Sequence, residues 1–266
     1  YNRLQGTSNY RSYLSGGNTI NYTGVVESLG ENFENGGTEH IFGGSYNAPG
    51  QIIYGNEITG SPYSDNSNIF NGLEQQTTIL KKSGTQLVPV SKTVKEYSID
   101  SRNFSWYNSL VVQSRNNSNT LYQYSPTSHP SNLLQFDIMA YPRYVSWVHL
   151  DKITNYVYDD NANEFKTEKS YTYGSTQYSQ PTEESNLLSD NTLEQTQYKY
   201  VKDYNTVSGL SSNSIAAANL MISKNIIAPQ LEKKVSKNSN LLATTRTDYK
   251  VWNNNMPLPE IITSAF

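Results

Sequence analysis

The chain has 266 residues, of which 35% are hydrophobic and only 16% charged, and its formal net charge is −3. Cysteine is absent, which excludes disulfide staples, thiolate metal sites and cysteine nucleophiles, and the acidic balance offers no basic face for nucleic acid. Uncharged polar residues fill the gap, with 33 Ser and 31 Asn, but 22 Tyr and frequent Val, Ile and Thr suit a pleated, half-buried surface rather than a disordered chain.

In chain order, residues 1–100 form a Gly- and Asn-rich β region. Tyr22–Leu29 reads as a strand, Asn32–Gly37 as a turn and Thr38–Phe42 as the returning strand. Gln51–Tyr54 is a short extended run, and Ser61–Asn66 is a loop. Leu73–Lys81 and Pro89–Ile99 make the first long hairpin, with Pro89 placing its strand at a sheet edge or starting it after a bend. Residues 101–143 read as an irregular excursion holding the loop-forming runs Arg115–Asn119 and Ser125–Ser131. Residues 144–266 return to hairpins. Period-two alternation runs through Lys152–Tyr158, Phe165–Tyr173 and Leu193–Val201. Ser212-Asn213-Ser214 supplies an N-cap for a short helix near 212–224 that ends before Pro229. Strands follow over Gln230–Ser236 and Leu241–Trp252, and Glu260-Ile261-Ile262 adds a last edge strand. The basic run Lys233-Lys234-Val235-Ser236-Lys237 alternates as a solvated strand face does. The longest apolar stretch, Ile215–Ile222, is interrupted by Asn219 and is too short to cross a bilayer. The first residue, Tyr1, and the absence of a tail signal at Phe266 read as the limits of a fragment of a longer chain.

One pattern recurs through these segments: a polar turn, then an extended run ending in Tyr. Asp159–Phe165 leads to Tyr171-Thr172-Tyr173, Ser189–Leu193 to Tyr198-Lys199-Tyr200, and Lys237–Leu242 to Tyr249-Lys250-Val251. A weaker copy, Lys81–Leu87, leads to Tyr97-Ser98-Ile99. Repetition of one supersecondary unit that cannot bury its apolar side alone predicts a mainly β fold of stacked antiparallel hairpins, as a sheet, shell or sandwich-like stack, with the one short helix.

Tyr158-Asp159, followed by Asn163 and Phe165, resembles the tyrosine–aspartate (YD) repeat of RHS proteins, with Asn163 where the repeat commonly has Gly. Asn32–Gly37, the Trp147 strand, the Ile215–Asn219 helix, Ile227-Ala228-Pro229, and Tyr249 through Trp252 to Leu258–Ile262 occur in an order similar to the region preceding the repeats in large YD-repeat/RHS-like proteins of Bacteroidota. That resemblance implies a non-catalytic structural segment of a secreted protein at the cell surface or outer membrane, exported by a type IX route. It implies part of a β shell or scaffold that carries a C-terminal toxin or an adhesin. The partners implied are the rest of its own long chain, outer-membrane export or surface machinery, and glycans.

Candidate chemistry is sparse. The three histidines, His40, His129 and His149, show no i, i+4 ligand spacing and no HExxH, and no G-x-S-x-G elbow marks a serine nucleophile. Asp159–Asn163 carries oxygen ligands at alternate positions, but Glu164 and Ser170 stand where a calcium loop needs Gly and Glu, so a hairpin turn in which Asn adopts positive φ explains it. Gly16-Gly17, Gly36-Gly37 and Gly43-Gly44 precede no helix and cradle no phosphate. Glu183-Glu184, beside Pro181, reads as a solvated loop. No enzyme, metal or cofactor is expected. The alternative to a scaffold is a glycan-binding adhesin module using Trp106 and Tyr107 in the irregular excursion, with Trp147 as a third ring; Tyr156 and Tyr158 read first as cross-strand packing.

Overall fold

The protein is described by a computed structural model over residues 22–43, 48–49, 51–54, 64–65, 70, 72–114, 136–253 and 255–266. The loops read at Arg115–Asn119 and Ser125–Ser131, with His129, lie outside the described residues, as do Gly16-Gly17, Gly44 and most of Ser61–Asn66. In chain order the strands are β1 (Gly24–Ser28), β2 (Gly37–Phe42), β3 (Ala48–Pro49), β4 (Gln51–Tyr54), β5 (Ser64–Asp65), β6 (Glu74–Ser83), β7 (Gln86–Ile99) and β8 (Ser105–Ser114). They continue with β9 (Phe136–Val145), β10 (Val148–Tyr158), β11 (Glu164–Thr172), β12 (Glu183–Leu187), β13 (Leu193–Tyr200), β14 (Gln230–Lys237), β15 (Asn240–Trp252) and β16 (Met256–Ala265). One α-helix, α1 (Ser212–Ser223), lies between β13 and β14. The chain is mainly β, as its hairpin pattern predicts.

The chain divides into two units: Tyr1–Val25, His40–Gln75 and Ile99–His149; and Val26–Glu39, Gln76–Ser98 and Leu150–Phe266. The second holds most of an 11-stranded sheet in the order β1-β2-β6-β7-β10-β11-β12-β13-β14-β15-β16. From β10 to β16 every neighbour is antiparallel.

All four polar turns singled out in the sequence close antiparallel hairpins. In β14–β15, Lys237 pairs with Asn240, and the two residues between them, Asn238 and Ser239, have φ of 48° and 68°. Two positive values in a two-residue loop match the type I′ turn that follows a sheet's natural twist. In β6–β7, Ser83 pairs with Gln86 around Gly84 (φ 62°) and Thr85. The β10–β11 and β12–β13 turns share one geometry. Asp159 N–H donates to Asn163 O (3.1 Å) and Ala162 N–H to Asp159 O (3.0 Å); Leu188 N–H donates to Thr192 O (2.9 Å) and Asn191 N–H to Leu188 O (3.0 Å). The left-handed residue of the first is Ala162 (φ 61°), not an Asn as expected; in the second it is Asn191 (φ 64°). Asp159 makes the alanine tolerable. Its carboxylate accepts from the Asn161 and Asn163 N–H groups and from Asn163 Nδ2, each at 2.8 Å. Asn238 then ties two hairpins together, since its Oδ1 accepts from Leu193 N–H at 2.9 Å while its own N–H donates to Leu193 O at 2.8 Å.

Three expectations change. Pro89 neither starts β7 nor marks an edge. It sits inside the strand opposite Leu80, where the register slips between Ile79 and Leu80, and β7 lies between β6 and β10; a bulge absorbs the missing N–H. Glu183-Glu184 belongs to β12 and not to a loop: a strand with little intrinsic β preference is held by pairing with β11 on one side and β13 on the other. β13 ends at Tyr200, and Val201–Thr206 turns into a 3₁₀ helix.

The dry core of this unit is small and lies under α1. Ser211 caps the helix by accepting from Ser214 N–H at 3.1 Å, one residue before the expected Ser212–Ser214 start. Ser214, Ala217, Ala218 and Met221 form its buried face, at the i, i+3, i+4, i+7 spacing of a helical stripe. The two alanines let the helix approach closely, and Val201, Val207, Leu231 and Tyr249 complete the cluster. Farther along the sheet little is fully buried. Across β10–β13 only Thr154 and Tyr200 are. Long side chains cover the strands instead, with their stems on the sheet and their charges in water.

In the first unit, β9 runs between β4 and β8 in a three-stranded sheet. Met139 and Ala140, on the central strand, are its buried apolar side chains among the described residues. Much of the irregular excursion expected over 101–143 therefore consists of a pair of ten-residue strands, β8 and β9. The run Leu110-Val111-Val112 is a strand signal that the neighbouring Asn- and Ser-rich runs mask.

Candidate functional site

Trp106 and Tyr107 do not lie in a loop. They are consecutive residues of β8, with Cα partners Tyr144 and Arg143 on β9, so their rings leave opposite faces of the sheet. They are 59% and 56% exposed. Trp106 shares its face with Leu110 and Val112, both also exposed, which gives β8 an apolar stripe on one side. Trp147 lies in the Ser146-Trp147 link between β9 and β10. It is half-buried, its ring tilts against His149 with centroids 4.9 Å apart, and its carbonyl accepts from Asp100 N–H at 2.9 Å. The three aromatics thus do not form one platform. Trp106 and Tyr107 each offer a single ring, and Trp147 packs into the junction around Asp100.

That junction is an ion pair. Asp100 is buried and Arg102 grips its carboxylate through Nε (2.8 and 3.0 Å) and Nη2 (2.5 Å). The guanidinium's hydrogen bonds pull the Asp100 carboxyl down to about 2. Asp159, held by Asn163, and Asp190, held by the Thr192 N–H, are lowered as well, as are Glu34 through the Asn32 N–H and Glu168 through Lys166. A carboxyl whose folded value lies below its unfolded value (about 4) stabilises the fold above that value, and its contribution is lost as pH falls through the folded value. The melting temperature is therefore expected to fall steadily from pH 5 to about 2, the range set by the unfolded and the Asp100 values, in thermal melts followed by circular dichroism. An equal melting temperature at the two ends would contradict these assignments.

The other candidate groups are structural. His40 Nδ1 meets Glu74 Oε1 at 2.8 Å, and His149 packs on Trp147. Among the described residues no group of three or more His, Asp or Glu is placed to hold a metal ion. Asp159 is occupied by its own turn. Glu184 pairs with Lys169 at 2.8 Å, and Glu183 accepts from Gln195 and Gln197.

Two buried polar clusters escape a reading of the sequence by motifs. Ser214 is fully buried; its Oγ accepts from Tyr249 N–H (2.8 Å), and its proton lies between Asp248 Oδ1 (3.0 Å) and Tyr249 O (3.1 Å). Asp248 Oδ2 takes Arg246 Nε at 2.9 Å. The register slips between Asp248 and Tyr249, so the hydroxyl serves backbone groups beside a bulge. A serine and a carboxylate are present here, but their partners are the scaffold itself. The sequence does carry a signal: Ser214 falls on the same helical stripe as Ala217, Ala218 and Met221. In the second cluster Tyr178 donates to Asp203 Oδ2 at 2.5 Å, the same oxygen accepts from Tyr200 N–H at 2.9 Å, and the two tyrosine rings meet edge to face at 5.0 Å. Burial pushes the Tyr200 hydroxyl up to about 12 and raises Tyr178 further. These tyrosines are neutral anchors at any physiological pH.

The sheet surface itself is the largest ordered feature. Lys152 pairs with Glu96 (2.9 Å) and Lys166 with Glu168 (2.6 Å). Lys92 lies 4.8 Å over the Tyr156 ring and Lys169 5.0 Å over Tyr171. Each such contact is worth about 0–1 kcal/mol. Together they make a charge-balanced surface that tolerates water. Compared with known proteins, the chain matches no family model, no curated protein and no solved structure.

Proposed function

We propose that this chain is a non-catalytic structural segment of a secreted, cell-surface protein of the YD-repeat/RHS-like kind, forming part of a β-rich shell or scaffold that carries a toxin or adhesin. The observation that carries the reading is the run of hairpins: four polar turns of the kind singled out in the sequence close pairs that add side by side to one sheet. The placement of the polar groups supports it. Ser214, Asp248, Tyr178 and Asp203 are consumed in holding helix and strands, and the wetted sheet carries balanced ion pairs. In this reading the partners are the rest of the protein, the machinery that exports it and the surface that displays it.

The test is surface accessibility on the cells that make the protein. Protease added to intact cells is expected to cleave the chain, as followed with an antibody raised against it. Protection until the cells are lysed would overturn the surface assignment. A second reading, a glycan-binding module, is favoured by one observation: Trp106 and Tyr107 stand more than half exposed on a strand, and an exposed ring can stack on the apolar face of a sugar. A glycan array with the native chain and with Trp106→Ala separates the two. Binding that disappears on substitution selects the adhesin reading, and no binding by either leaves the scaffold.

A further inference from the structure

β16 ends the strand order: β15 lies on one side of it and, among the described residues, no strand on the other. The unpaired row of backbone N–H and C=O groups on such an edge is satisfied by water or by another extended strand. The two halves of β16 treat that edge differently. Pro257 and Pro259 have no N–H to offer, and their nitrogens point to the same side of the strand, so the first half is blunted as edge strands commonly are. Glu260 is the single charge of the strand and is held by Lys250 at 3.1 Å.

Beyond Glu260 the protection stops. Ile261-Ile262-Thr263-Ser264-Ala265 has no proline and no charge, and it begins with three β-branched residues that favour the extended form. Ile261 and Ile262 are 56% and 66% exposed and, as neighbours on a strand, face opposite sides of the sheet. A strand laid against this half would therefore gain backbone hydrogen bonds and apolar cover on both faces.

We infer that this open half of β16 joins two copies of the chain, each β16 pairing antiparallel with the other across a two-fold axis. The segment is self-complementary in charge. An antiparallel pairing centred on Thr263 sets uncharged residues opposite uncharged residues and leaves the two Glu260 carboxylates six residues apart, about 20 Å, where salt screens their repulsion. Its length, about five residues a side, puts the contact at the small end of protein interfaces, so the dimer is weak and reversible. The inference rests on the strand order and not on the proposed function.

Sedimentation of the 266-residue chain over about 1–500 µM, the range of weak association, tests it. The native chain is expected to pass from monomer to dimer, and Ile262→Lys/Ser264→Lys to remain a monomer, because the added cations face one another across the pairing. Both positions are exposed, so the variant keeps its circular dichroism spectrum and melting temperature; Ser264→Lys alone, tested beside it, reduces the dimer fraction at every concentration. A native chain that stays monomeric throughout overturns the inference. So does a dimer that survives the double substitution with the fold intact, or growth to open-ended assemblies, which would mean that β16 takes up β1 of the next copy.

Discussion

Leu231→Ala is expected to lower the free energy of unfolding by about 2–5 kcal/mol, the range for truncating a fully buried leucine. Leu231 has no exposed surface. It starts the stretch of β14 that packs beneath α1, against Met221, Val201 and Tyr249. The loss should be large relative to the whole because the dry core of this unit is confined to that cluster. Elsewhere the sheet is covered by the stems of Lys, Glu and Tyr. Leu241→Ala, on the adjacent strand, is the control: Leu241 is 62% exposed, and its truncation should change stability by less than about 0.5 kcal/mol. Urea titration followed by circular dichroism reads both, as a lower midpoint at unchanged slope for the first and no shift for the second. Equal effects would mean that the core is not where the fold places it.

The second large effect comes from a single oxygen. Ser214→Ala removes the acceptor of the Tyr249 N–H and a hydrogen-bond donor to Asp248, and both lie in buried surroundings. Each orphaned group costs about 1–3 kcal/mol, so a loss of about 2–4 kcal/mol is expected from the pair. Ser212→Ala, exposed and two residues earlier on the same helix, should be within about 0.5 kcal/mol of the native chain. The same urea titrations decide it. A Ser214→Ala chain as stable as the Ser212→Ala chain would show that α1 is held by apolar contact alone.

The hairpins are legible in the sequence because their turns are local chemistry. Gly84, Asn191, Asn238 and Ser239 occupy the left-handed positions that those turns require, and alternation carries the strands away from them. What is not legible depends on neighbours. Glu183-Glu184-Ser185-Asn186-Leu187 is a strand because β11 and β13 offer it two ladders. Pro89 fits inside β7 because a register slip opposite Leu80 removes the demand for its N–H. The sequence marks the last strand only over Glu260–Ile262, yet β16 spans Met256–Ala265, since an edge strand tolerates Pro257 and Pro259 where a central one would not.

The site is less legible than the fold. Trp106 and Tyr107 read as loop rings because Asn- and Ser-rich runs follow them. Their place on β8 turns a candidate platform into two rings on opposite faces. Ser214 carries no motif. Its role emerges only when the helical stripe is laid on the bulge at Asp248 and Tyr249, and that bulge belongs to the pairing of β15 with β16.

The central claim is that the hairpins build one continuous sheet with its dry core under α1. Hydrogen exchange of the intact chain, resolved by peptide, tests it most directly. Slowest exchange is expected in α1 and the stretches of β14 and β15 beneath it, intermediate protection across β10–β13, and fast exchange for the amides on the open side of β16. Exchange across β10–β13 as rapid as in an unstructured peptide, or no added protection in α1, would contradict it.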